Sequence, residues 1–334
     1  MPSENNLRIS FLAVGNGDCA LIQFNSGQYS ILVDSGPSRS TVAQRTVSQL
    51  KQLLPNSKPV DLAILTHHDD DHIGGFLEFF RSNDIPIHQA LFNSPALLAA
   101  LLANDDPQEI SVKQARLLQD MKAPCNTHVI CSGETIKVFG GKAELRILTP
   151  WKRDILQYGR SILEELTPPQ PISVKKPFRR IDEVLSGVDT FEQDSSKSNL
   201  LSISFILNYI GRSWLFLADA WPSRVVRALK TIDASNSPEF ALTKIAHHGS
   251  QGNTDKQLAE LLRCSDFVVP AAGGRHPDEQ VFGRIVAGTG NRRARFHFPE
   301  KTPDLARLTA ESDFCFQFPD NGRMLDFYYD DIEK

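Results

Sequence analysis

The stretch Thr66-His67-His68-Asp69-Asp70-Asp71-His72-Ile73-Gly74-Gly75 sets six metal-capable side chains in a row. Carboxylates and imidazoles this close repel or desolvate one another unless a cation gathers them. The plain alternative is a solvated acidic loop, but such loops seldom interleave His with Asp. Residues two apart on a turn can reach one ion together, and the pair that follows can serve a second. The chemistry this suggests is hydrolysis by metal-activated water.

Such groups need a rigid support. Leu62-Ala63-Ile64-Leu65 precedes them and reads as a buried strand, and a strand end holds ligands at fixed geometry. Gly74-Gly75 is expected to turn the chain into a helix packed down by Phe76, Phe79 and Phe80. Further strands are expected over 7–14, 19–24, 29–34, 88–93, 127–130, 135–139 and 143–149, with helices over 41–54, 95–103 and 107–121. Residues 151–198 break this rhythm with Pro168, Pro169, Pro171 and Pro177 and the polar run Gln193 to Ser198. They read as an insertion lying over the site, since long irregular segments in compact domains are usually lids or disorder. Its Lys175-Lys176-Pro177-Phe178-Arg179-Arg180 run reads as a solvated charge run before a phosphate contact. The αβ rhythm then resumes: strands over 201–209, 212–218, 241–246, 266–270 and 294–298, and helices after Pro222 and over 254–262 and 277–287. Phe314 to Phe318, an Asp320-Asn321-Gly322 turn and Met324 to Tyr329 read as a closing hairpin. Pattern alone yields α/β or α+β.

The motif, read as His67-x-Asp69-x-Asp71-His72, resembles the His-x-His-x-Asp-His signature of the metallo-β-lactamase superfamily, with Asp in the second His position. That form is similar to the hydrolase domain of ComEC-type DNA-uptake proteins and to the phosphorylcholine esterase branch. More elements follow in the family's order: Val14-Gly15-Asn16-Gly17-Asp18, Ile31 to Gly36, Asn199-Leu200-Leu201-Ser202, Leu215-Phe216-Leu217-Ala218-Asp219 with Ala for the family's Gly, Ile245-Ala246-His247-His248-Gly249-Ser250, and Gly274-Arg275-His276-Pro277.

The resemblance implies one domain over 1–334, an αββα sandwich with 151–198 as a lid-like insertion. It implies that His67 and Asp69 hold one metal, that Asp71 and His72 hold a second, and that Asp219 bridges both. One imidazole of the His247-His248 pair joins the second metal, with His247 taken as the ligand and His248 as acid or phosphate contact. Asp71 and His276 complete the expected catalytic set; His276 is equally a structural His at a helix start. Asn199, Ser250 and Arg275 are the expected substrate contacts. Asp34 is expected to orient a ligand; Asp18 is expected to do the same or to cap its own turn. His88 and His128 lie where relatives bring another His to the first metal, but Asn199 takes that place. The oxygen-rich shell suits two Mn²⁺ or Zn²⁺ ions. They would activate a bridging hydroxide and neutralise a phosphoryl oxygen, which makes a nuclease or phosphodiesterase the expectation. The alternatives are a phosphorylcholine-type or other small-ester hydrolase and, in another class, a non-catalytic metal-binding interaction subunit.

Composition sets bounds. The chain has 334 residues, 41% apolar and 23% charged, and a net charge of -4, which argues against a nucleic-acid-coating protein but allows a nucleic acid or nucleotide as substrate. The five cysteines are scattered without Cys-x-x-Cys spacing, so a zinc ribbon is not expected and reduced thiols are. With no signal-peptide pattern and no apolar run of about 18 residues, the expectation is a cytoplasmic protein without a membrane span.

Overall fold

The computed structural model describes residues 5–54, 58–82, 84–105, 124–165, 180–232, 238–310, 314–320 and 324–330. Two sheets stack face to face. The first has the order β14 (Met324–Asp330), β1 (Asn6–Leu12), β2 (Ala20–Phe24), β3 (Tyr29–Val33), β4 (Val60–Leu65), β5 (Ile87–Phe92). The second has the order β13 (Cys315–Gln317), β12 (Arg295–His297), β11 (Asp266–Val268), β10 (Leu242–Lys244), β9 (Arg212–Phe216), β8 (Ser204–Tyr209), β7 (Ala143–Thr149), β6 (Thr135–Val138). Each sheet begins antiparallel, β1 to β3 and β6 to β9, and then turns parallel, β3 to β5 and β9 to β13.

Parallel neighbours need crossovers. In the first half these are α1 (Ser40–Leu53) and α2 (Asp70–Ser82). In the second they are α7 (Pro222–Ile232), α8 (Lys256–Leu261), α9 (Glu279–Thr289) and α10 (Pro303–Ala310). Between them lie α3 (Pro95–Asp105), α4 (Lys152–Glu165), α5 (Ile181–Leu185) and α6 (Lys197–Leu200).

Burial orders these elements into four layers. Between the sheets, Ile9, Ile22, Ile31 and Leu62 meet Leu145, Phe205, Trp214 and Phe216. On the outer face of the first sheet, Leu21, Leu32, Ala63 and Leu65 meet Val47 and Leu50 of α1 and Phe76 and Phe79 of α2. On the outer face of the second, Leu215, Phe267 and Phe296 meet Val225, Leu258 and Phe282. β4 is apolar without alternation because it is covered on both faces. The result is the expected αββα sandwich. The C-terminal ends of β3, β4, β9 and β10 open on one edge, where the Ile203 N–H donates to the Thr66 carbonyl at 2.8 Å and ties the two halves together.

Three expectations change. The C-terminal strands form no hairpin: β13 pairs with β12 in the second sheet and β14 with β1 in the first, so the chain crosses between layers. Residues 127–130 are irregular. The helix begins at Asp70, so Gly74 and Gly75 lie inside it and not at a hinge. A Cβ on Gly74 would sit 2.2 Å from the Ser38 nitrogen and one on Gly75 2.4 Å from the Ser35 oxygen; the glycines let α2 press against the loop after β3. The helix expected at 107–121, residues 166–179 with most of the basic run, and the Phe80 side chain lie outside the described residues. No described helix is long and apolar enough to cross a membrane.

Candidate metal centre

Each candidate stands just past the end of a strand. His67 and Asp69 follow β4, and Asp71 and His72 form the first turn of α2. Asp34 follows β3, Asp219 follows β9, and His247 and His248 follow β10. The backbone is strained there: Asp34, Ala218, His247 and His248 have φ of 56°, 46°, 46° and 53°. Non-glycine residues pay about 1–2 kcal/mol for this region, and such strain clusters at functional sites. Ala218 stands where the related motif has Gly, and its φ is the physical reason a glycine suits that position.

The four histidines share one arrangement. His72 Nδ1 donates to Asp34 Oδ2 at 2.9 Å. His248 Nδ1 donates to the Pro270 carbonyl at 2.8 Å. The Thr66 hydroxyl is spent on Asp34, so it accepts from His67 Nδ1 at 3.0 Å. The Asn253 amide gives its N–H groups to Asp194 and to the Asp219 carbonyl, so its oxygen accepts from His247 Nδ1 at 2.9 Å. With every Nδ1 donating, the neutral rings carry the Nε2 lone pair free. All four Nε2 atoms surround Asp219: His72 lies 3.3 Å from Oδ1, and His67, His247 and His248 lie 3.8, 3.6 and 3.9 Å from Oδ2.

Two carboxylates divide the ring. Asp69 Oδ2 lies 3.6 Å from His67 Nε2, while its other oxygen accepts from Ser198 at 2.6 Å. Asp71 Oδ2 lies 3.3 Å from His248 Nε2. The histidine pair is thus arranged differently from the sequence expectation: His248, and not His247, faces Asp71. Left-handed backbone at both positions splays the two rings, whose centroids are 5.7 Å apart.

The donor set fits cations. His67 Nε2, His72 Nε2, His248 Nε2 and Asp219 Oδ1 are buried without a hydrogen-bond partner, a condition that costs free energy unless something else meets them. His67, His72 and Asp219 offer atoms within 4.8 Å of one another. Asp18, His72 and His248 do too, but the ring atoms nearest Asp18 are the Nδ1 atoms already held by Asp34 and Pro270. Asp18 is therefore a buried countercharge beside the two rings, itself paired with buried Lys244, which also donates to the Ala218 carbonyl at 3.0 Å.

Electrostatics agree. Burial opposes charge on Asp219, yet His72, His247 and His248 hold it well below the usual carboxylate range. Burial also opposes charge on His248, yet Asp219 and Asp18 push it up to about 10. Ligand rings must shed such protons, so cation binding releases them. Burial, with His248 and His276 nearby, pushes His247 down. His68 packs on Phe92 at 4.9 Å, where burial pushes it down to about 4. His88 and His128 pair with Asp61 and Glu134, away from the centre.

The other candidates ring the centre. His276 lies with its ring 5.1 Å from that of His247 and both ring nitrogens buried without a hydrogen bond. Arg275 beside it is exposed. Ser250 is buried, and its N–H donates to the His247 carbonyl. The Asn199 amide donates to Asp194 Oδ2 at 2.6 Å, and its Oδ1 is buried without a hydrogen-bond partner.

Asp194 was missed by the sequence reading. It accepts from Asn199 and Asn253 on one oxygen and from the Ser196 N–H on the other. It reaches the centre on an extended strap that buried Arg284 clamps through Asp189 and the carbonyls of Thr190, Gln251 and Thr254. Within a polar run of the insertion, nothing in its spacing marked it; Asn253 carried no signal either.

Residues 12–106 match the model of the metallo-beta-lactamase superfamily. The two-sheet architecture with flanking helices is consistent with that fold, which suggests a metal-dependent hydrolase. Among solved structures, the chain is similar to the metallo-beta-lactamase fold protein YhfI from Bacillus subtilis, at 11% identity and TM-score 0.44 over 97% of this chain and 100% of that one. It is also similar to Igni18, a metallo hydrolase from Ignicoccus hospitalis, at 14% identity and TM-score 0.41 over 96% and 98%. For Zn(2+)-bound PqqB from Methylobacterium extorquens the figures are 10% and 0.43 over 93% and 87%. No curated protein matches the chain.

Proposed function

We propose that this chain is a phosphodiesterase or nuclease that works with two divalent cations, Mn²⁺ or Zn²⁺. The observation that carries the reading is the common orientation of His67, His72, His247 and His248: each is pinned through Nδ1 and turns Nε2 toward Asp219. His67, Asp69 and His247 would hold one ion, Asp71, His72 and His248 the other, and Asp219 both. Bound there, the ions would lower the pKa of a water toward 7 and neutralise charge building on a phosphoryl oxygen. Three carboxylates among the donors favour Mn²⁺ more than an all-imidazole site does.

The chain's residues do the rest. Asp34 and the Pro270 carbonyl fix the tautomers of His72 and His248 through Nδ1, and Asp18 adds a buried negative charge beside both rings. Ser198 holds Asp69 with one oxygen turned to His67. Arg275, an exposed cation next to His276, would receive a substrate phosphate, and His276, with its ring 5.1 Å from that of His247, would give a proton to the departing oxygen. An anionic diester resists attack by an anion, so a cationic surround is what such a substrate requires.

The test is hydrolysis of plasmid, single-stranded DNA, RNA and bis-(p-nitrophenyl) phosphate by protein loaded with Mn²⁺ or Zn²⁺, with Asp71→Ala alongside and metal content measured for both. Turnover that falls at least about a hundredfold in Asp71→Ala supports the reading. Equal trace activity in both proteins with every metal would end it.

A further inference from the structure

Beside the centre lies a cavity of about 300 Å³, walled by His276, Pro277, Leu305 and Leu308 with Asp304 and Arg307 at its mouth. That is the lower end of the range for small-molecule pockets. It is built, not loose. Asn16 accepts from the Ala272 N–H and donates to the Gly273 carbonyl at 2.8 and 2.9 Å, bracing the wall from the other half of the chain. Thr302 donates to the Ala272 carbonyl, and the Asp278 N–H donates to the Gly249 carbonyl at 2.9 Å, joining this loop to the one that carries His247.

His276 links cavity and centre. Its ring lies 5.1 Å from that of His247 and also lines the cavity. Both its nitrogens are buried without a hydrogen bond, and Asp278 stands 3.5 Å from Nδ1. An imidazole whose nitrogens are both buried without a hydrogen bond, in the wall between a metal centre and a cavity, marks where a ligand would pass.

We propose that this cavity receives one organic arm of the substrate, a planar heterocycle of about nucleoside size; this rests on the phosphodiesterase reading above. Leu305, Leu308 and Pro277 offer apolar contact to the faces of a ring. Asp304 and Arg307 are paired with each other at 2.9 Å through Oδ1; Asp304 Oδ2 and the remaining guanidinium N–H groups offer an acceptor and donors to its edge, and base edges carry both kinds of group. The phosphate then reaches the cations across His276, which gains the hydrogen bond its nitrogens lack. The cavity has room for one such unit, so the substrate it fits is a mononucleoside phosphodiester or the last residue of a strand.

The test compares the p-nitrophenyl ester of thymidine 5′-monophosphate with methyl p-nitrophenyl phosphate on metal-loaded protein. Leu308→Trp, which fills the cavity, is expected to raise KM for the thymidine ester about tenfold or more while leaving the methyl ester and the metal content unchanged. Arg307→Ala, at an exposed position, is expected to raise the same KM severalfold. Equal changes for both esters, or none, overturn the proposal. If wild type cleaves neither ester, the phosphodiesterase reading fails by itself. Saturation-transfer NMR with free thymidine then decides the cavity: contact in wild type that Leu308→Trp abolishes supports it, and contact in neither protein or in both overturns it.

Discussion

Replacing Asp194 by Asn should weaken one of the two cations and spare the other. Asp194 Oδ2 accepts from Asn199 and Asn253 at 2.6 and 3.0 Å, and Oδ1 accepts from the Ser196 N–H at 2.9 Å. An asparagine cannot reproduce this. If its oxygen takes the Oδ2 position, its NH₂ faces the Ser196 N–H; if it flips, its NH₂ faces two amide NH₂ groups. Either way a buried donor meets a donor, which costs about 1–3 kcal/mol. In the flipped orientation the cost falls on Asn253, whose oxygen holds His247 Nδ1, and in either orientation the carboxylate charge that holds the Asn253 amide is lost. Loss of such an outer acceptor typically lowers metal affinity by about 10- to 100-fold. His72 and His248 are anchored elsewhere, by Asp34 and Pro270, so the second ion should keep its affinity. Competition against a chromophoric chelator, with metal counted after gel filtration, reads this as two equivalents falling to one at intermediate chelator. Retention of both ions within about twofold of wild type, or equal weakening of both, would refute the reasoning.

Two stability effects follow from charges placed around the sheets. Lys244→Met strands Asp18 in the interior, where breaking a buried pair costs about 3–5 kcal/mol; neighbouring His72 and His248 favour the lower end, and urea unfolding should give a loss above about 2 kcal/mol. Asp266, at the start of β11, accepts from Arg295 and His297 at 2.6 and 2.7 Å; despite burial these hold its pKa down to about 2 from 3.8. A carboxyl depressed in the folded state contributes stability that is present above its unfolded pKa and lost as pH falls through the folded one. The shift sets an upper bound of about 2.4 kcal/mol; solvent screening reduces it to about 1 kcal/mol. The stability difference between wild type and Asp266→Asn should therefore hold near pH 6 and shrink between about pH 4 and 2. A difference that does not narrow there would sink the assignment.

The local pattern of the chain made the layers and the centre's members legible. β4 reads as a doubly covered strand because Leu62 and Ile64 face the other sheet while Ala63 and Leu65 face α1 and α2. The motif after it crowds imidazoles and carboxylates into six positions, a density that few solvated loops carry. Asp34, Asp219 and His247-His248 each follow an apolar run, and strand ends are where such residues converge. What local pattern could not carry was anything set by rotation or by partners far off in sequence. Which imidazole of the 247–248 pair meets Asp71 depends on two positive φ values, invisible in the residue types. Asp194 and Asn253 act through amide hydrogen bonds 59 residues apart, and short polar side chains look alike in a loop. The closing strands look like a hairpin because their spacing fits one, but β13 pairs with β12 in the second sheet and β14 with β1 in the first, partners farther off in sequence. Sequence determined which groups are present and which strand ends present them; only the tertiary structure decided which nitrogen of each ring is tied down and which is left to face Asp219, because that choice belongs to the acceptors packed behind the rings.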